Sequence, residues 1–411
     1  MKYKKQISYL ILVFITILGL WLIPSLVKKA TYSPDNYPFM YYSSIMKELG
    51  VVDRKNKQFP LTDLKGRQYT TAQLDSLMPL LNFRQLMTDG KLPDSIDGRE
   101  ITPQILRSKQ VTYRYTPEMM QTPETGLYIL FETMPKRVGL EMPDDVFRMK
   151  DRIEFIDAET NIVNTAKSEM FRKALDKAGY QFPPQWLSGN PNPRKAYDEG
   201  YFSLDARGNL FHIKMVNNRP YVRNTEVGND MDIAWYSMLE VADKRFYGFL
   251  FSRQGDVYII EGNDGKYEPL KLDIPQLDVT QDQVVIMGNL LYWTVWVTTP
   301  EGRHYYGLET ETLKRVAACT VERSQTAWDK AAKYVFPFYL TFEQDHNDYL
   351  MPKVHYTAYY GLGVNVLLVI AGFFLSGNRK QRIFISVYTV LTGVAGFIAL
   401  WILSYFKTNR Y

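Results

Sequence analysis

Cysteine is almost absent from this chain of 411 residues, which contains only Cys319. A single cysteine cannot form an intramolecular disulfide, so the fold must be stabilised by noncovalent packing. Small and β-branched residues flank Cys319, which favours a buried filler in a strand over a reactive thiol. The sequence therefore predicts no thiol chemistry.

Histidine is also scarce, with four residues in the chain, and the common catalytic motifs are missing. The sequence contains no G-x-x-x-x-G-K-[ST] phosphate loop, no G-x-G-x-x-G loop after a strand, no H-E-x-x-H motif and no G-x-S-x-G elbow. Few histidines leave few candidates for general acid–base or metal chemistry. We expect no cofactor, and the sequence favours a protein that is not an enzyme.

Charge is absent from three long apolar runs, which cover residues 7–27, 356–376 and 383–406. A helix that crosses a hydrocarbon core of about 30 Å needs roughly 20 apolar residues. In lipid, such a segment satisfies its own backbone hydrogen bonds only as a helix. The sequence predicts three transmembrane helices.

The orientation follows from the basic residues that flank these runs, because lysine and arginine concentrate on the cytoplasmic side. Lys2, Lys4 and Lys5 precede the first run, and basic residues also fill the turn at 377–382. We predict a protein of the bacterial inner membrane with its N-terminus inside and its main domain periplasmic or extracytoplasmic. A cleaved signal peptide is the alternative for the first run, but no A-x-A site follows it.

The formal net charge of +5 does not indicate a nucleic-acid partner. Eight of the 49 Lys and Arg residues lie before the first run, in the inner turn or in the tail, whereas all 44 acidic residues lie in the predicted external segment. That segment therefore carries a net charge of about −3 and has no long basic block. We exclude nucleic acid as a partner.

The first external segment, residues 30–125, is predicted to be α+β. We predict helices over residues 41–50 and 71–90, the second with a Thr70–Gln73 capping box and a kink at Pro79.

From residue 126 the sequence changes to short alternating runs that are typical of antiparallel strands. Residues 127–131, 152–156 and 257–260 are examples, and a helix is predicted over residues 166–178, ending at Gly179.

A repeat runs through this β-rich segment. Gly208, Gly255 and Gly302 lie 47 residues apart, each in a turn between two aromatic-rich strands. This period falls within the range of propeller repeats. We predict a propeller-like domain, or alternatively a β-sandwich or open β-meander with the same 47-residue repeat.

One polar cluster precedes the second apolar run, at Glu343, Asp345, His346 and Asp348. Carboxylates with one imidazole can hold a divalent cation, so Asp345, His346 and Asp348 are the candidate metal ligands. The alternative is a solvated linker, because the spacing matches no defined motif. His212 and His304 are predicted to be hydrogen-bonded histidines within the sheets.

Small residues recur at helical spacing in the C-terminal hairpin, at Gly372 and Ser376 and at Thr392 and Gly396. Such pairs let helices approach closely, and Asn365 can form a hydrogen bond across the helix interface. None of the three runs contains Asp, Glu, Lys, Arg or His, so ion or proton translocation by this chain alone is not expected.

The block KAYDEGYFSLD at residues 195–205, followed by GNLFHIK at 208–214, resembles an uncharacterised family of three-span bacterial envelope proteins. That family is typical of Bacteroidales and is known as a domain of unknown function. The resemblance extends over nearly the whole chain and implies no catalytic residues. It implies ABC-type transporter components as partners.

These observations divide the chain into four parts. Residues 1–29 form a cytoplasmic tip and a transmembrane helix, 30–125 the α+β segment, 126–350 the β-rich repeat domain and 351–411 a transmembrane hairpin. The favoured function is a membrane-anchored extracytoplasmic binding or accessory protein of an ABC-type transport or export complex, with an unknown small-molecule ligand. The alternative is an extracytoplasmic carboxylate- or metal-dependent hydrolase on the same scaffold.

Overall fold

The computed structural model describes residues 2–31, 35–121, 126–344, 350–357, 360–373 and 379–408. The chain forms two compact units. We call Tyr37–Glu322 the β unit, and Met1–Asn36 with Arg323–Tyr411 the helical unit. The predicted boundaries within the external segment stay a prediction.

The β unit begins with a four-stranded antiparallel sheet in the order β1-β2-β3-β4. Its strands are β1 (Met40–Tyr42), β2 (Leu49–Val52), β3 (Leu61–Thr62) and β4 (Gln68–Tyr69).

The helix predicted over residues 41–50 is therefore wrong. The chain turns back between β1 and β2, where the Ser43 hydroxyl accepts hydrogen bonds from the backbone N–H groups of Ile45 and Met46. Lys47 adopts a left-handed φ of 57° in the same turn. Tyr41 and Tyr42 then pair with β2, as aromatic residues commonly do in strands.

Two helices, α2 (Thr71–Leu77) and α3 (Phe83–Thr88), replace the single kinked helix predicted over residues 71–90. The Thr70–Gln73 capping box is confirmed. Pro79 lacks a backbone N–H and its ring clashes with the preceding turn, so the helix ends instead of bending.

Short elements lead from these helices to the β-rich segment. They are β5 (Ser95–Ile96), β6 (Arg99–Glu100), α4 (Pro103–Ser108), β7 (Val111–Tyr115), α5 (Pro117–Gln121), the pair β8 (Asp145–Met149) and β9 (Ile153–Asp157), and α6 (Thr165–Ala178).

The predictions for this stretch are met in part. Helix α6 is confirmed and ends at Gly179, whose φ of 85° needs a residue without a Cβ. The strand predicted at residues 127–131 is wrong, because only Tyr128 forms an isolated bridge, to Phe147.

Three antiparallel sheets follow in chain order. The second sheet contains β10 (Trp186–Gly189), β11 (Tyr201–Leu204), β12 (Leu210–Val216) and β13 (Arg219–Asn224). After a 3-10 turn at Val227–Asp230, the third sheet contains β14 (Ile233–Met238), β15 (Phe246–Ser252), β16 (Val257–Asn263) and β17 (Lys266–Lys271). The fourth contains β18 (Gln283–Gly288), β19 (Tyr292–Thr299), β20 (Gly302–Glu309) and β21 (Arg315–Glu322), with β7 added beside β18.

The glycine repeat marks the same connection in each of these sheets. Gly208 lies between β11 and β12, Gly255 between β15 and β16, and Gly302 at the start of β20. Gly208 and Gly255 have positive φ values of 83° and 91°, which suits a tight turn between strands. The predicted 47-residue unit is therefore a four-stranded meander.

Apolar clusters join consecutive sheets. Phe202 on the second sheet and Tyr236 on the third belong to one buried cluster, with ring centroids 4.5 Å apart. Phe249 on the third sheet and Trp293 on the fourth belong to the next cluster. The β unit is mainly β with several helices, and none of the sheets seen in the described residues closes into a barrel.

The helical unit contains α1 (Lys2–Ala30), α7 (Ala327–Val335), β22 (Phe338–Gln344), β23 (Leu350–Tyr356), α8 (Gly361–Phe373) and α9 (Arg379–Thr408). Two of its described helical segments, Gln6–Ala30 and Gln381–Leu403, are long and apolar enough to cross a membrane.

The described part of α8 is apolar and has 13 residues, about 20 Å, which is less than the hydrocarbon thickness of roughly 30 Å. The second predicted span does not begin at Tyr356, which lies in β23. The described residues therefore contain two candidate membrane helices and not the three predicted.

Helices α1 and α9 run in the same direction. Tyr9 packs edge-to-face on Phe384, and further along both helices the hydroxyl groups of Thr16 and Tyr388 lie 2.8 Å apart. At Gly19, a Cβ atom would lie 3.1 Å from the Cβ of Ala395.

Helix α8 runs antiparallel to α9. The side-chain Nδ2 of Asn365 donates a hydrogen bond to the Val390 carbonyl at 3.2 Å. Gly372 faces Ile385, where a Cβ atom would lie 3.0 Å from Cγ2. The predicted interhelical contact of Asn365 and the close approach at Gly372 are confirmed. Helix α9 is interrupted at Gly393, whose φ of 60° and ψ of −144° are not helical.

Candidate functional site

A group of buried polar side chains in the β unit lies where the loop after β10 enters β11. The loop enters β11 through Gly200, whose φ is 69°. A Cβ atom at Gly200 would lie 2.3 Å from the Ile213 carbonyl oxygen, so only glycine lets the loop lie this close to β12. The KAYDEG part of the block at residues 195–205 belongs to this loop.

Lys195 connects two carboxylates, one from its own loop and one from the segment after β14. Its Nζ lies 2.6 Å from Asp198 Oδ1 in the same loop and also contacts Glu240, which follows β14. The carboxylate side chains are only 3% and 2% exposed. Asn190 Nδ2 donates a further hydrogen bond of 2.8 Å to Glu240. Buried charges are tolerated only when they are paired. We call Lys195, Asp198 and Glu240 the ion-pair triad. Because Glu240 follows a strand of the third sheet, the triad ties the loop to that sheet.

Burial raises the pKa of the Asp198 carboxyl above its ordinary value, and the Lys195 ammonium group opposes that shift. The backbone N–H of Gly200 also donates to Asp198, at 2.8 Å, which favours the ionised form. The contacts of Asp198 are therefore those of a structural carboxylate held by a cation.

His212 on β12 is fully buried beside this triad. Its Nε2 lies 2.5 Å from the backbone carbonyl oxygen of Glu199, and its Nδ1 lies 2.7 Å from the hydroxyl of Tyr267 on β17. A carbonyl only accepts, so we assign the hydrogen to Nε2, and the neutral ring accepts from Tyr267 at Nδ1.

Burial lowers the pKa of His212 from 6.5 to about 3, and the nearby Lys214 ammonium adds to the effect. The imidazole is thus neutral near pH 7. Its ring also stacks on Phe202, with centroids 4.4 Å apart. The predicted hydrogen-bonded sheet histidine is confirmed at this position.

The outer edge of the site is a set of half-buried tyrosines, which we call the tyrosine rim: Tyr221, Tyr247 and Tyr267. The hydroxyl groups of Tyr221 and Tyr267 lie 3.2 Å apart. Lys214 lies 5.1 Å from the centre of the Tyr221 ring and forms an ion pair of 2.6 Å with Glu199.

The chemistry available at the rim differs from that in the interior. Inside, Lys195, Asp198 and Glu240 bind one another and His212 binds two neighbours. At the rim, tyrosine rings lie beside the exposed Arg223 on β13. Tyrosine and arginine are enriched in protein interfaces, because they combine apolar contact area with hydrogen-bonding groups. The arrangement suits recognition of a partner better than bond cleavage.

The metal ligands predicted from sequence, Asp345, His346 and Asp348, lie outside the described residues, and they stay a prediction. Over the part of the chain that the structure describes, no group of three or more His, Cys, Asp or Glu residues is placed to hold a metal ion. His304, the other predicted sheet histidine, lies on β20 with Nδ1 3.0 Å from the Thr320 hydroxyl.

Glu240 and Tyr267 were missed by the sequence predictions. Glu240 is 45 residues from Lys195, and Tyr267 is 55 residues from His212. Neither separation along the sequence equals the 47-residue period of the repeat, and no motif connects these positions. The pairs arise because two consecutive sheets pack face to face.

A sequence profile described as a domain of unknown function (DUF4857) matches residues 39–308. The matched segment lies inside the β unit, Tyr37–Glu322, and contains the whole site. No match was found among curated proteins.

Proposed function

The chain belongs to the DUF4857 family, and we propose that it is a membrane-anchored extracytoplasmic binding protein that serves an ABC-type transport or export complex as an accessory subunit. The predicted membership of a family with a domain of unknown function is confirmed. Its Bacteroidales origin and three-span architecture belong to the proposal.

The parallel course of α1 and α9 supports the topology. Lys2, Lys4 and Lys5 lie at the start of α1, and Arg379, Lys380 and Arg382 lie at the start of α9. Parallel packing puts these two basic ends on the same side of the bundle, and basic flanks favour the cytoplasm. We propose that α8 completes a third span and that the β unit is periplasmic, held at the inner membrane.

A propeller-like arrangement of the β unit is part of the proposal. The second, third and fourth sheets are successive meanders, and aromatic clusters join each to the next. This is how propeller blades pack. The open β-meander with the same repeat remains the alternative, since the described sheets do not close.

The tyrosine rim is the observation that carries the binding role. Charged side chains in the interior of the site are paired with one another, whereas Tyr221 and Arg223 are accessible on β13. The competing hydrolase needs carboxylates that water and substrate can reach. Asp198 and Glu240, which converge on Lys195, are almost completely buried.

The first test is crosslinking and affinity purification of the intact protein from its native membrane, followed by mass spectrometry. We expect subunits of a transport complex with the native chain and fewer with a Tyr221→Ala, Arg223→Glu variant. The matched control is Arg253→Glu, because Arg253 is another exposed arginine of the β unit, with a side chain 59% exposed. Recovery of the protein alone, in repeated experiments, would contradict the accessory role.

The topology is tested separately by thiol labelling in a Cys319→Ser background. A cysteine at the exposed Glu268 of β17 should react with a membrane-impermeant reagent in intact spheroplasts. A cysteine at Arg379 should react only after permeabilisation. The reverse pattern would exclude a periplasmic β unit.

A further inference from the structure

The break in α9 leaves backbone groups without their helical partners. In an α-helix each carbonyl accepts from the N–H four residues later, and the non-helical Gly393 interrupts this ladder. Gly393 lies within Gln381–Leu403, the segment suited to crossing a membrane. Water is not available there, so the carbonyls released before Gly393 need partners inside the protein.

Asn365 on α8 provides a hydrogen-bond donor for one of the carbonyls before the break. Its Nδ2 donates to the carbonyl of Val390, three residues before the break. Its Oδ1 is buried and has no hydrogen-bond partner among the described residues, and the whole side chain is 1% exposed. A Cβ atom at Gly393 would lie 3.1 Å from this oxygen, so the amide oxygen is directed at the break.

Thr389 adds a second unsatisfied group. It is fully buried, and its hydroxyl lacks a partner within the described segments. Residue 389 lies four positions before Gly393 and therefore on the same face of the helix. An unpaired hydroxyl and an unpaired amide oxygen near one break are costly in an apolar bundle, unless a ligand binds them.

The break also adjoins a small pocket within the helical unit. Gly19 and Pro24 of α1 line it together with Thr392, Gly393 and Phe336. Neither Asn365 nor Thr389 lines this pocket, so it is separate from the unpaired oxygen atoms at the break.

The oxygen atoms around the break determine the class of ligand. Asn365 Oδ1 and the released carbonyls only accept hydrogen bonds, and the C-terminal end of a helix segment carries partial negative charge. Neutral oxygens at a helix break within the membrane are the ligands that small cations use in transport proteins. A divalent ion is disfavoured, because the described spans supply no carboxylate to balance its charge.

We propose that the break at Gly393 binds a monovalent cation through Asn365 Oδ1 and the released carbonyl oxygens of α9. Thr389 contributes its hydroxyl. The cation provides a partner for the carbonyl oxygens that the break leaves without a helical N–H, and it holds α8 against α9. This role differs from conduction, and it agrees with the lack of Asp, Glu, Lys, Arg and His in the apolar runs.

The test measures thermal unfolding of the purified full-length protein in detergent, with NaCl titrated against choline chloride at constant ionic strength. A ligand that binds only the folded state raises Tm in a saturable manner. We expect such a rise with Na⁺ and its loss in Asn365→Leu, which keeps the size of the side chain but removes Oδ1. The matched control is Thr16→Val, which removes a buried hydroxyl already bonded to Tyr388 in the same bundle; its response to Na⁺ should persist.

A second variant covers the case in which Asn365→Leu does not fold. Asn365→Asp brings a negative charge to the site and should lower the half-saturating Na⁺ concentration at least about tenfold, because charges interact strongly in a low dielectric. Equal effects of NaCl and choline chloride on the native chain would overturn the proposal. So would a Na⁺ response that neither Asn365 variant changes.

Discussion

The hydroxyl of Tyr267 lies 2.7 Å from Nδ1 of His212, and this hydrogen bond joins the edge strand of one sheet to a central strand of its neighbour. Because His212 donates from Nε2 to the Glu199 carbonyl, Nδ1 depends on Tyr267 as its donor. The Tyr267 hydroxyl is in turn next to that of Tyr221 in the tyrosine rim. The accessible rim and the buried histidine are therefore one hydrogen-bonded system.

Replacing Tyr267 with phenylalanine should destabilise the protein while leaving its core volume unchanged. The variant leaves Nδ1 of a fully buried imidazole without a donor, which costs about 1–3 kcal/mol. The measurement is the Tm of the purified protein. Tyr258→Phe is the control, because Tyr258 is a half-buried tyrosine on the adjacent β16 whose hydroxyl lies beside the Asp256 carboxylate; it should cost less than Tyr267→Phe. Equal losses for both variants would refute the role assigned to the Tyr267 hydroxyl.

Acid should destabilise the native fold through His212. The folded pKa is lowered from 6.5 to about 3, so between these values the unfolded chain binds a proton that the folded chain does not. Stability contributed by the neutral ring is complete above about pH 6.5 and is lost as the pH falls toward 3, by up to about 1.4 kcal/mol per pH unit.

The His212→Gln variant should be less stable at neutral pH but should lose less stability on acidification. The measurement is Tm as a function of pH for the native chain and the variant. The change in Tm per pH unit is then compared between the two proteins. An unchanged slope in His212→Gln would show that other groups cause the acid sensitivity.

Removing the cation of the ion-pair triad should be the most damaging single change in the site. Lys195→Met keeps the length of the side chain but leaves Asp198 and Glu240 buried without their cation, a change that typically costs about 3–5 kcal/mol. Adding Glu240→Gln should recover part of the loss, because one of the two buried charges is then removed.

Lys173→Met provides the contrast to Lys195→Met. Its side chain is 72% exposed and lies 3.8 Å from Glu169, so its removal should change stability by less than about 1 kcal/mol. Measured losses in Tm should separate the two lysines clearly. If Lys195→Met is as mild as Lys173→Met, the triad does not hold the loop to the third sheet.

The features that could be predicted from the sequence are those determined by neighbouring residues. The turns at Gly208 and Gly255 and the helix ending at Gly179 each follow from a glycine next to a periodic segment. Strand β1 could not be predicted in this way, because distant residues hold it. The backbone N–H of Tyr42 donates to the hydroxyl of Thr294 on β19, and the sequence pattern alone resembled a helix.

The same distinction applies to the candidate sites. His212 was predicted to be a hydrogen-bonded sheet residue, but its partner Tyr267 belongs to another sheet. Asn365 was predicted to bond across a helix interface, and it does. The break at Gly393 could not be predicted, because isolated glycines are common in apolar helices and only the position of Asn365 distinguishes this one.

Helices α1 and α9 approach closely at Gly19, and we predict that their packing depends on this glycine. A Cβ atom there would lie 3.1 Å from the Cβ of Ala395, so Gly19→Val forces the helices apart. Overpacking of this kind costs about 1–3 kcal/mol. Gly363→Val on α8 is the matched control, because no atom lies within 4 Å of a Cβ placed there. Both variants gain the same side chain, so a lower Tm in Gly19→Val alone isolates the helix contact. Equal Tm values for the two variants would mean that α1 and α9 do not depend on this glycine to pack.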